Sequence, residues 1–131
     1  MIGLDTNVLV RYVMQDEAGQ AAQATRLMES LTRDRPGFLT LITVVEFVWV
    51  LESAYGLTRD QVAQALEGVL QTKELTTERA DIVWQALRRF RTTRADLADC
   101  LISQTAHAAG CETTVTFDRA AAKAGVMTLL A

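Results

Sequence analysis

Short apolar runs and longer amphipathic stretches alternate along this chain, and that alternation predicts strands followed by helices. Residues 2–4 form a brief apolar run that reads as a buried strand, and a helix follows over about residues 6–14. Ala18, Ala21, Ala24, Leu27, Met28 and Leu31 recur at helical spacing until Arg35-Pro36-Gly37 breaks the pattern. Residues 38–41 predict a second strand. Thr43 then starts a mainly apolar helix, which Gly56 ends. Thr58 and Gln61 fit a capping box ahead of the stripe Val62, Ala65, Leu66, Val69 and Leu70. A short edge strand is expected near Glu74-Leu75, and Ile82, Val83, Ala86, Leu87 and Phe90 mark another amphipathic helix. Residues 97–109 predict a helix closed by Gly110, residues 114–116 a strand, 118–124 a short helix and 126–129 a last strand. Strands alternating with helices imply an α/β fold with a mostly parallel sheet covered on both faces and right-handed crossovers. In such sheets the ligand site lies beyond the carboxyl ends of the strands.

Composition narrows the class. A length of 131 residues, half of them hydrophobic, suits one domain spanning residues 1–131 with a real core. No apolar run is long enough to span a membrane, and the N-terminus lacks the basic-then-apolar layout of a signal peptide, so a cytoplasmic protein is expected. Cys100 and Cys111 form no CxxC pair and are read as reduced core residues. The net charge of −3 argues against nonspecific coating of nucleic acid, although a site built from carboxylates would itself lower the charge.

The carboxylates then stand out by position. Asp5 in "IGLDTN" and Asp118 in "TVTFDRA" share one grammar of strand, acid, helix. Each fits a helix N-cap and also a ligand at a strand end; one oxygen can cap while the other binds an ion. Glu46 is the only charge between Phe38 and Leu51, and Thr43 to Glu46 has the spacing of a capping box, which places the acid in a first helical turn. Asp96 and Asp99 lie three apart at the start of a helix, where a cap and the helix dipole already favour them. The topology rule nevertheless gathers acids from four segments at one sheet edge. Carboxylates so close need a counter-charge, and a hard divalent cation supplies one. With one histidine and two scattered cysteines, a zinc site is not expected.

Taken together, "IGLDTNVLVRY", the Glu of "LITVVEFVWVL", "ADLADCLISQTAHAAG" and "TVTFD" resemble the PIN-domain ribonucleases, most closely the VapC-type toxins of toxin–antitoxin pairs. The resemblance runs from end to end. It implies a three-layer α/β/α sandwich, Mg²⁺ or Mn²⁺ held by acids, cleavage of RNA, homodimers, and silencing by a small antitoxin of the VapB type. On this sequence Asp5, Glu46, Asp99 and Asp118 match the acidic quartet, and Asp96 matches an additional acid that part of the family carries. Thr6 and Asn7 match the polar pair after the first acid, and Thr116 a small polar position before the last; these would orient ligands or waters.

The stretch "RRFRTTR" carries Arg88, Arg89, Arg91 and Arg94 just before Asp96. It reads either as a solvated helix end or as a phosphate rail that Arg11, Arg119 and Lys123 would join. His107, in the middle of a helix, is read as structural or exposed. A haloacid-dehalogenase-like phosphatase would need an acid where Asn7 stands, and a receiver domain would need paired early acids and a strand-end lysine. A metal-free, non-catalytic PIN-like interaction module would leave the acidic set a coincidence.

Overall fold

The computed structural model describes residues 1–130. The chain divides into two compact units, Met1–Glu78 and Arg79–Ala131.

The first unit is built on a parallel sheet in the order β1-β2-β3, with β1 over Ile2–Gly3, β2 over Gly37–Leu39 and β3 over Leu75–Thr77. Helices α1 (Thr6–Met14) and α2 (Ala18–Ser30) connect β1 to β2; α3 (Leu41–Ser53) and α4 (Arg59–Leu70) connect β2 to β3. Parallel neighbours require such crossovers, which is why each short strand is followed by long amphipathic segments. α1 packs on both α2 and α3, and α3 packs on α4. Phe47, Leu51 and Leu39 are fully buried, with Leu9, Val44, Val62 and Leu66 close around that centre in burial. At Gly37 a side chain would have no room: a Cβ would come within 2.9 Å of Leu75, 3.0 Å of Leu31 and 3.1 Å of Leu4.

The second unit pairs α5 (Ala80–Thr92) with α6 (Leu97–Ala108) and adds a two-stranded parallel ladder of β4 (Val115–Thr116) and β5 (Thr128–Leu129), joined through α7 (Arg119–Lys123). Its buried stripe is the expected one, Ile82, Val83, Ala86, Leu87 and Phe90 on α5, against Leu97, Cys100 and Leu101 on α6. Parallel strands flanked by helices in this alternation give the α/β fold class expected from the sequence.

Three local expectations shift. α3 begins at Leu41 rather than Thr43, because Thr40 is the cap and its hydroxyl accepts from the Thr43 amide at 3.0 Å. The edge strand lies at Leu75–Thr77, just beyond Glu74. Cys100 is buried, but Cys111 is exposed, in the turn after α6. The capping box of Thr58 and Gln61 is present in both directions. Among the described residues no helix is long and apolar enough to cross a membrane.

Candidate active site

Two sets of acids occur, one in each unit. In the first unit β1 leads straight to Asp5. The Leu4 amide donates to the Phe38 carbonyl at 3.0 Å, which carries the ladder to the residue before the acid. Asp5 is then the N-cap of α1, and its Oδ1 accepts from the Thr6 amide at 2.8 Å. Thr6 is buried, yet its hydroxyl is not idle: Oγ1 donates to Glu46 Oε1 at 2.8 Å, across 40 positions of sequence. Glu46 is therefore no capping-box residue. It is the sixth residue of α3, a full turn beyond the first three amides, and its partner comes from another helix. A pocket of about 630 Å³ opens here, lined by Asp5, Thr6, Asn7 and Glu46, with Arg11 and Tyr55 also on its wall.

That wall holds a network with no local sequence signature. The Tyr55 hydroxyl donates to Asp16 Oδ2 at 2.6 Å. Arg11 donates through Nη1 to the Tyr55 oxygen at 3.1 Å and to Asp16 Oδ1 at 3.4 Å, and through Nε to Gln20 at 2.8 Å. The Tyr55 hydrogen bond holds the Asp16 carboxyl below its usual range, with the Arg11 charge acting the same way. The Tyr55 hydroxyl is pushed up in return, chiefly by that same bond. Tyr55 and Asp16 lie 39 positions apart, so only a contact prediction, not a motif, would have paired them.

The second set comprises Asp96, Asp99 and Asp118. Asp96 caps α6, accepting from the Asp99 amide at 2.7 Å. Asp99 sits in the first helical turn, half-buried. Its carboxyl titrates above the usual range, first because burial disfavours its charge, then because Asp96 and Asp118 both stand near it. Asp118 caps α7, accepting from the amides of Ala120 at 2.8 Å and Ala121 at 3.3 Å. The Thr116 hydroxyl accepts from the Asp118 amide at 2.9 Å and so holds the acid's backbone. All three aspartates sit at helix starts, and the caps use only part of each carboxylate's acceptor capacity.

None of the five carboxylates pairs with a lysine or arginine among the described residues; Arg11, on the wall of the first pocket, pairs with Asp16, and Arg79 pairs with Asp81. Unpaired acids offering only oxygen are the donor chemistry of a hard divalent cation, so these residues fit Mg²⁺ or Mn²⁺ in kind. Among the described residues no three acidic, histidine or cysteine side chains are already arranged as a cage for an ion.

The basic residues divide. Arg88, Arg91 and Arg94 are exposed, as are Arg119 and Lys123. Arg89 is turned inward, donating to the Gly125 carbonyl at 3.0 Å, so it braces its own unit. Arg11 is committed to Asp16, Gln20 and Tyr55. Arg94 and Lys123 line a pocket of about 450 Å³ together with Thr92 and Thr93, and no carboxylate lines it. His107 is exposed.

This arrangement can be set beside known proteins. A curated relative, the VapC ribonuclease of Aquifex aeolicus (strain VF5), is 24% identical over 126 residues, covering 96% of this chain and 93% of the relative. The PIN domain family matches residues 2–126, nearly the whole length, and the chain belongs to that family.

Proposed function

We propose that the protein is a metal-dependent endoribonuclease, the toxin of a VapBC-type toxin–antitoxin pair, with residues 1–131 acting as one nuclease domain. The observation that carries this reading is Asp99: a half-buried carboxyl set beside Asp96 and Asp118, with no cationic side chain to balance them. A protein gains nothing in stability from such crowding, and the strain is relieved when a divalent cation joins the acids. Family membership and the similarity to a VapC ribonuclease support the choice of a nuclease.

In this reading Asp5, Glu46, Asp99 and Asp118 are the catalytic and metal-holding acids, with Asp96 as an additional ligand. Bound Mg²⁺ or Mn²⁺ would supply Lewis acidity toward the phosphodiester and a water of lowered pKa. Thr6 orients Glu46 through its hydroxyl, a partner of the kind that aims a ligand and fixes its free lone pairs. Asn7, on the same pocket wall, would hold a water or a ribose hydroxyl. Thr116 fixes the backbone from which Asp118 projects. Arg88, Arg91, Arg94, Arg119 and Lys123 supply phosphate contacts, while Arg89 and Arg11 act through the internal bonds described above.

The antitoxin is a small VapB-type protein that covers the acids. A homodimer is supported by α3, where Ile42 is 73% and Trp49 66% exposed, seven positions apart on one helix face. An RNA substrate inside the cell makes the cytoplasm the place of action.

The test is cleavage of a panel of RNAs with Mg²⁺, with Mn²⁺ and with EDTA, beside Asp5→Asn and Asp99→Asn. Cleavage that needs the metal and is lost in both variants supports the proposal. Cleavage that persists in EDTA or in either variant overturns it.

A further inference from the structure

Phe117 is 79% exposed, the most exposed large apolar side chain among the described residues. The chain has few aromatics, and Phe47 and Phe90 are buried to within 1%. An aromatic left in water is an ordinary event taken singly, so its setting decides its meaning. Phe117 lies between Thr116 and Asp118, and the backbone on both sides is pinned. The Asp118 amide donates to the Thr116 hydroxyl, and the Asp118 carboxylate accepts from Ala120 and Ala121. β4 is itself held in its ladder, where the Leu130 amide donates to the Thr116 carbonyl at 2.8 Å. The ring is thus presented from a fixed base, one Cα step of about 3.8 Å from that of Asp118.

The same short segment carries groups for a phosphate chain. Arg119 follows Asp118 and is exposed, and Lys123, one turn further on, shares with Arg94 the pocket that no carboxylate lines. A flat aromatic surface beside free cations is the combination that binds single-stranded nucleic acid: cations follow the phosphates, and a base stacks on the ring whatever its identity. We infer that Phe117 is a base-stacking residue of the nuclease site and that its occupant is an unpaired nucleobase of the RNA next to the bond that is cut. The inference rests on the ribonuclease reading above. A base within a duplex is already stacked on its neighbours and has no face to offer, so the occupant of the ring is an unpaired base.

The experiment measures binding of single-stranded RNA containing 2-aminopurine to the cleavage-silent Asp99→Asn protein in Mg²⁺, with Phe117→Ala, Phe117→Leu and Phe117→Trp added to that background. Loss of the ring in Ala and Leu should weaken binding about 5- to 140-fold, which is about 1–3 kcal/mol at 1.4 kcal/mol per tenfold. Trp should keep the affinity and the quenching of 2-aminopurine. Mn²⁺ binding, followed separately, should match the parent in all three. Ala and Leu variants that hold RNA as tightly as the parent overturn the inference and leave the ribonuclease reading intact. Affinity lost in Ala but kept in Leu also overturns it, since generic apolar contact rather than stacking on an aromatic face would then hold the RNA. A parent that binds no RNA removes the ribonuclease reading itself. Circular dichroism of each variant separates loss of binding from loss of fold.

Discussion

Thr6→Val tests whether a buried hydroxyl organises the first acidic set. Valine keeps the shape of threonine and removes one atom's chemistry, the donor to Glu46 Oε1 at 2.8 Å. A hydrogen bond to a charged group contributes about 1.5–3 kcal/mol. Glu46 is largely exposed and regains water when the donor goes, so a value at or below the low end of that range, about 1–2 kcal/mol, applies here. For about 130 residues the entropy of unfolding near 60 °C is about 0.27 kcal/mol/K, which converts the loss to a fall in Tm of about 4–7 °C. Calorimetry reads the fall. A double-mutant cycle with Glu46→Ala isolates the pair and should return a coupling of about 1–2 kcal/mol. The same substitution should weaken Mn²⁺ binding about 10- to 100-fold, the usual effect of removing an outer partner of a ligand. A coupling within about 0.3 kcal/mol of zero, with Mn²⁺ affinity unchanged, would refute the reasoning.

Other outcomes follow from the same structure. Asp99→Asn should abolish RNA cleavage yet leave the metal-free protein more stable at pH 7. The wild-type carboxyl titrates above its ordinary 3.8, so the folded state binds the proton more tightly than the unfolded state and stability falls as pH rises through the window from 3.8 to that raised value; urea melts across that window should lose this slope in the variant. Tyr55→Phe should return the Asp16 carboxyl toward its usual range in an NMR titration. In the wild type that depressed group adds stability above 3.8 that is lost as pH falls through the folded value, and the loss should shrink in the variant. Gly37→Ala should destabilise by about 1–3 kcal/mol in denaturant titrations, because three buried leucine tips must move together to admit one methyl group.

The sequence made legible what depends on neighbours along the chain. The core stripe of α5, the capping box at Thr58 and Gln61, and Asp5, Asp96 and Asp118 at helix starts all follow from spacing of a few residues. Misreadings arose where a distant group decides. Thr43 to Glu46 has capping-box spacing, but Thr40 takes the cap and Thr6 takes the glutamate. α5 is preceded by Arg79 in a left-handed conformation with no side-chain cap, so no capping residue marks its start. Arg89 reads as one more cation of a basic run, and no local pattern signals the bond it donates to the Gly125 carbonyl, 36 positions away. Cys111 follows the apolar Ala108-Ala109-Gly110 but lies past a helix end that leaves it in solvent.

The central claim, that these carboxylates bind a divalent cation, is tested most directly by Mn²⁺ titration followed through side-chain carboxyl NMR. The account predicts that paramagnetic broadening reaches Asp99 and Asp118 at Mn²⁺ concentrations that leave exposed Asp34 and Asp60 sharp, and that Asp99→Asn weakens the effect at Asp118. Broadening spread evenly over Asp34, Asp60 and the candidate acids, or an Asp118 response indifferent to Asp99→Asn, would contradict it.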